Sequence, residues 1–254
     1  MLFNFLRIKG KKLRKKYGGK IAFLKLSGFW DSLLPEEREF IRQCSALSLG
    51  GFDDPKYIDS PEVEVSTTQT ASSFLWIYAD WAIGKKKFEL ADKLLNESIT
   101  RSNNAIDLHF TFNHFIKLFY KRRDESPEWI ERCIRYCRDD IALFPRFKKE
   151  YVKERVELYI NLSNSQIYSK AERKKFLEQA KTVTFNLFVP SFQRLAIIFE
   201  RQGRYQEAIE VCNLALDYGL EDNTKSGYAG RIERLKKKYT GKEQAYVYIH
   251  GRKS

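Results

Sequence analysis

Phe192-Gln-Arg-Leu-Ala-Ile-Ile-Phe-Glu-Arg-Gln-Gly-Arg-Tyr-Gln-Glu-Ala-Ile-Glu-Val-Cys-Asn-Leu-Ala-Leu216 decides the fold. Before Gly203, the apolar residues Phe192, Leu195, Ala196 and Phe199 recur at i, i+3, i+4 and i+7. After it, Tyr205, Ala208, Ile209, Cys212, Ala215 and Leu216 keep the same rule, so each side reads as one apolar face of an α-helix. Glycine suits the helix-ending position between them, because it enters the left-handed region without a Cβ clash. Two helices joined by so short a turn must pack antiparallel. Ala196, Ala208 and Ala215 are small enough to let the two backbones come close.

This stretch resembles the tetratricopeptide repeat, a 34-residue helical hairpin with small and aromatic residues at fixed offsets. Phe192, Leu195-Ala196, Phe199, Gly203, Tyr205, Ala208 and Ala215 fall on that pattern. Cys212 replaces the usual bulky aromatic, and Leu220 stands where proline is common. The resemblance is clearest over 192–220 and weaker upstream. Leu75, Ala79, Phe88, Ala91 and Leu95 fit a second unit over 72–103, with Gly84 two residues earlier than the turn position of the last one. A third pair is readable over 107–145. Its first helix contains Phe112, Phe115, Ile116, Phe119 and Tyr120, and its second opens at Ser126-Pro127, an N-cap followed by proline at the first helical position. Pro145 sits where the repeat usually ends. A fourth pair, 147–161 and 169–185, has helical periodicity and a capping box at Ser169-x-x-Glu172 but does not match the repeat. Ala91 and Ala208 are 117 residues apart, which is not a multiple of 34, so the array is irregular.

The expected fold is therefore all-α: an irregular tetratricopeptide-like α-solenoid of antiparallel helix pairs over 71–240. Tyr228, Ile232, Leu235 and Tyr239 form the apolar stripe of a capping helix that covers the last unit. Ahead of the array, 31–70 reads as a short helix (Pro35 to Leu47) and a long linker, and 1–30 as a basic, flexible segment. Residues 241–254 read as a tail, in which Gln244 to Ile249 alternates weakly.

Charge is informative by position. Across 254 residues the formal charge is +13, yet residues 1–25 hold nine basic side chains and no acid, and 231–254 hold eight against two acids. The body between them is nearly neutral. The amino-terminal cluster, with Lys11, Lys12, Arg14, Lys15 and Lys16 at its centre, has three readings: a grip on a nucleic-acid backbone, a contact with an anionic membrane, or a solvated tail with no partner. No stretch reaches the roughly 18 apolar residues that span a bilayer. Cys44, Cys133, Cys137 and Cys212 make no close pair, and reduced thiols in a cytoplasm are the simplest account.

Nothing in the sequence assembles a catalytic constellation, so no enzyme, cofactor or metal site is expected. His109 and His114 are five apart and fall on different helix faces. Cys133 and Cys137 share an apolar face, where free cysteine acts as a small hydrophobe. Gly18-Gly19-Lys20 lacks the full spacing of a phosphate loop and reads as a hinge. Asp53-Asp54 and Asp139-Asp140 read as turn or surface residues. The family resemblance implies protein binding, as an adaptor or regulator, with a peptide or partner helix lying on the first helix of each pair. Carried onto the matched units, the groove would be lined by Trp76, Asp80 and Ile83, by His114, Leu118 and Lys121, and by Gln193, Ile197, Glu200 and Arg201. The alternative is a nucleic-acid-associated protein that uses its basic ends.

Overall fold

The structure is a computed structural model that describes residues 16–46 and 54–250, with side chains described for 16–45 and 54–240. The described residues are all-helical and contain no strand. They form α1 (Gly19–Phe23), α2 (Ser27–Ser32), α3 (Pro35–Ala46), α4 (Lys56–Asp59), α5 (Ala71–Gly84), α6 (Phe88–Arg101), α7 (Ala105–Lys121), α8 (Pro127–Asn164), α9 (Lys170–Lys181), α10 (Pro190–Arg201), α11 (Tyr205–Asp217) and α12 (Gly227–His250). Consecutive long helices from α5 to α9 and from α10 to α12 pack on one another.

Local chemistry places the helix ends. Thr70 and Ser73 form a capping box at α5, Asn104 accepts from the Asp107 amide at α7, and Ser126 accepts from the Glu128 amide at α8 with Pro127 behind it. The expected Ser169–Glu172 capping box opens α9. Each such cap satisfies amides that the first helical turn leaves unpaired. Phe192, Leu195, Ala196, Phe199, Ala208, Cys212 and Ala215 are buried between α10 and their neighbours, and Tyr228, Ile232 and Leu235 of α12 are buried as well. Cys133 and Cys137 are buried, and all four cysteines are free.

Five sequence expectations need correction. Pro145 does not end a helix: α8 runs unbroken for 38 residues through it. An internal proline costs about 3 kcal/mol. Here the neighbouring rings outweigh it, since Phe144 and Phe147 are fully buried against Phe185 and stopping the helix would expose them. Beyond Tyr151 the helix leaves the core and pairs with α9, which buries none of its own side chains completely.

Residues 16–33 are not a flexible segment. Ile21, Leu26, Trp30 and Leu33 lie between the charges and are buried. Asp59 ties them down, accepting from Trp30 Nε1 at 2.9 Å and from Arg42 through both carboxylate oxygens, at 3.1 and 2.6 Å. Nor is Gly18-Gly19 a hinge. The Gly18 amide donates to Asp59 O and the Gly19 amide to Val63 O, a main-chain contact so close that only glycine fits. At the other end, helix α12 continues to His250, because no strong breaker interrupts it. The tail reading of 241–250 is thereby corrected.

Asp140 is not on the surface. It is fully buried on α8, 2.6 Å from His109 Nδ1 on α7, and the His109 ring stacks on Phe147 at 3.7 Å. Asn113 Nδ2 approaches His109 Nε2 at 2.9 Å, so the imidazole is engaged on both nitrogens. A second buried polar cluster joins α5, α6 and α7: Ser98 Oγ lies 2.8 Å from Ser72 Oγ and 2.7 Å from Thr111 Oγ1. Such buried polar networks favour one register between helices, since a slip would strand further polar groups in the core.

Candidate functional site: the shared face of α5, α7 and α10

Helix α7 lies between α5 and α10, and three cross-helix contacts show which of its residues look toward each neighbour. Phe110 and His114, one turn apart, stack on Trp76 of α5 with ring centroids 5.3 and 5.1 Å away. Lys117 bonds Asp80, one turn beyond Trp76. Tyr120 looks the other way, toward α10, where the Arg194 guanidinium carbon sits 3.7 Å from its ring centre and that of Arg201 sits 6.0 Å away. The spacing of Phe110, His114, Lys117 and Lys121 is i, i+4, i+7 and i+11, a single stripe along α7.

The two halves of the face differ in electrostatics. On the α5 side the charges are matched: Asp80 receives Lys117 and lies 3.5 Å from His114 Nε2. His114 Nδ1 lies 2.6 Å from the Phe110 carbonyl; because a carbonyl only accepts, Nδ1 is the nitrogen that carries hydrogen. Burial pushes the His114 pKa below its usual 6.5, against the opposing pull of the Phe110 carbonyl and Asp80. The Trp76 indole N–H is buried without a hydrogen-bond partner. On the α10 side the charges are unmatched: among the described residues, Arg194 and Arg201 have no carboxylate partner, and neither has Lys121 at the end of the α7 stripe. Arg123 adds a further guanidinium 4.5 Å from the Tyr120 ring, while donating to the Tyr120 carbonyl and pairing with its neighbour Asp124.

Of the expected groove residues, the structure brings Trp76, Asp80 and His114 together; Arg201 approaches Tyr120 at the α10 side, and Lys121 is exposed one turn beyond Lys117. Ile197 is half-buried on α10, in the same stripe as Arg194 and Arg201. Gln193 and Glu200 are on the adjoining stripe and are engaged elsewhere. Gln193 donates to the buried Asp222, which also accepts from Arg231 of α12 at 3.0 Å; Glu200 accepts from Lys238 of α12 at 2.7 Å. Ile83 and Leu118 are corrected: both are buried and cannot line a groove. Ile83 is buried in the last turn of α5, a helix that α3 also contacts, and α3 lies outside the array expected from sequence. Leu118 is buried because α7 is contacted by α5, α6, α8 and α10, which leaves only a narrow stripe open.

Sequence reasoning missed Phe110, Lys117, Tyr120 and Arg194 as face residues. Phe110 and Lys117 stand at i−4 and i+3 from His114, and Arg194 at i−7 from Arg201, which was the available signal; Tyr120 has no such relation to either. Lys16 is exposed and pairs with Asp31 at 2.7 Å, whereas Lys11, Lys12, Arg14 and Lys15 lie outside the described residues. No cluster of potential metal ligands occurs among the described residues, and no helix there is long and apolar enough to cross a membrane. Compared with protein-family models, with curated proteins and with solved structures, the chain matches none.

Proposed function

We propose that this chain is a non-enzymatic, tetratricopeptide-like interaction module that takes a peptide or partner helix on the shared face of α5, α7 and α10. The supporting observation is the continuity of that face: Trp76, His114 and Asp80 at one side run through Lys117 and Tyr120 to Arg194 and Arg201 at the other. A half-buried Trp with charged groups of both signs around it is the composition from which binding hot spots are built. The paired hairpins α5–α6 and α10–α11 are consistent with a solenoid whose first helices carry the binding surface.

The test places a photo-crosslinking amino acid at Lys121, on the face, and at Lys175, on the outside of α9. A partner captured from Lys121, not from Lys175, and lost on Trp76→Ala in a chain that still melts cooperatively, is the expected outcome. Equal capture from both positions, or capture indifferent to Trp76, removes the proposal.

A further inference from the structure

Arg194 and Arg201 differ from the other arginines around them. Arg231 donates to Asp222, Arg204 is held by Glu207, Arg122 by Glu125, and Arg42 by Asp59. Arg194 and Arg201 make no hydrogen bond among the described residues, although Arg194 is half-buried. What holds them is the Tyr120 ring, a cation–π contact that fixes the guanidinium plane while leaving its N–H edge without acceptors. A partly dehydrated guanidinium with free donors is poised for an oxyanion, which it can grip through two parallel N–H bonds.

Resting on the reading of this face as a peptide site, we infer that its ligand is an acidic peptide segment whose carboxylate side chains are gripped by Arg194 and Arg201. Both guanidinium carbons approach one ring, at 3.7 and 6.0 Å, so they stand within about 10 Å of each other. In an extended peptide, side chains at i and i+2 point the same way and are about 7 Å apart. The pattern acid-x-acid therefore fits the pair.

The surplus charge is local. Asp80 with Lys117 closes it on the α5 side, and Glu200 takes up Lys238 of α12 on the other. The ring inside the cluster is taken by guanidinium groups rather than open as a platform for a base, which single-stranded nucleic acid relies on. These two features favour a short acidic peptide over a nucleic acid.

The experiment titrates the full chain into fluorescent peptides, amidated at the C-terminus, that carry Glu-Leu-Glu, Gln-Leu-Gln or Lys-Leu-Lys in one neutral background, and into a fluorescent oligothymidylate. Binding of the Glu peptide about tenfold or more above the Gln peptide is expected, weakening with added salt. Arg194→Gln with Arg201→Gln abolishes the preference, so that the Glu and Gln peptides bind this variant alike. The doubly conservative Arg194→Lys with Arg201→Lys retains charge without the fork and falls between; thermal melts check that each variant is folded. Equal binding of Glu and Gln peptides, both sensitive to Trp76→Ala, overturns the acidic preference but leaves the peptide face standing. Failure of every peptide overturns both. Oligothymidylate binding tighter than the Glu peptide's and lost with the two arginines assigns the cluster to nucleic acid and overturns the inference.

Discussion

Lys86 stands in the α5–α6 hairpin where Gly203 stands in the α10–α11 hairpin. The two are 117 residues apart, the same offset that separates Ala91 from Ala208. Both take the left-handed backbone, with φ of 58° and 69°. The hydrogen bonds also correspond. The Lys86 amide donates to Ile83 O and the Lys87 amide to Ala82 O, at 3.2 and 2.9 Å; the Gly203 amide donates to Glu200 O and the Arg204 amide to Phe199 O, at 3.1 and 2.9 Å. This is the double-bonded helix ending that usually selects glycine.

Lys86→Gly should therefore stabilise the protein. A left-handed non-glycine residue costs about 1–2 kcal/mol, and the extra freedom of glycine in the unfolded chain returns part of that. A net gain of about 0.5–1 kcal/mol is expected in urea unfolding, against a loss of about 1 kcal/mol for Gly203→Ala. A destabilised Lys86→Gly variant would show that the lysine side chain contributes more than its backbone costs.

Gly18 and Gly19 should be intolerant of any side chain. A Cβ at Gly18 would stand 2.1 Å from Ser60 O, and one at Gly19, where φ is 52°, would stand 2.3 Å from Tyr57 O. Both obstacles are main chain and cannot rotate away. Gly18→Ala or Gly19→Ala should lift the segment from the 57–63 loop and uncover Ile21, Leu26 and Trp30, each worth about 1.5–3 kcal/mol when buried. Hydrogen exchange of amides in 19–33 should accelerate while α10 and α11 stay protected. Unchanged protection in 19–33 would contradict the packed arrangement.

These two turns also show what the sequence could and could not convey. The hairpin at 192–216 was legible because glycine marked its turn and small and aromatic residues marked its seam. In the earlier hairpin the nearby glycine, Gly84, is the last helical residue, and the left-handed position falls on a lysine, which advertises nothing. Periodicity located the stripe containing Trp76 and His114, but it does not reveal which neighbours cover a stripe. Ile83 and Leu118 were misread for that reason. Trp30 and Asp59 are far apart in sequence, and only their contact explains why a segment dense in lysine is folded. Likewise, Arg194 gains meaning only when Tyr120 of another helix is beneath it.

Asp140→Ala should be among the most damaging single changes. It leaves His109 Nδ1 without a partner beside Phe147, in a fully buried site. Removing one member of a buried polar pair costs roughly 2–5 kcal/mol. Asp140→Asn keeps an acceptor for Nδ1 and puts an amide where Oδ2 now has no partner, so a loss nearer 1 kcal/mol is expected. Comparable losses for the two variants in chemical denaturation would mean that the carboxylate charge, not the hydrogen bond, is what the core requires.

His114 should give the protein a stability term with a definite sign. Burial holds its folded pKa below 6.5, with Lys117 acting in the same direction and Asp80 opposing. Between the folded value and 6.5 the unfolded chain binds more protons than the native one, so stability falls as the pH drops through that window and levels off below it. Above neutrality the imidazole is uncharged in both states and contributes no slope. His114→Gln should flatten the fall, narrowing its stability gap to the parent as the pH is lowered from neutrality. Asp80→Asn removes the carboxylate that favours the charged ring, which lowers the pKa further and extends the window to more acid pH. Lys117→Gln acts oppositely and shortens it. NMR titration of the His114 ring proton, with thermal melts across the same pH range, measures both quantities. A His114 pKa at or above 6.5 would refute the buried, Trp76-stacked placement of this ring and with it the α5 half of the binding face.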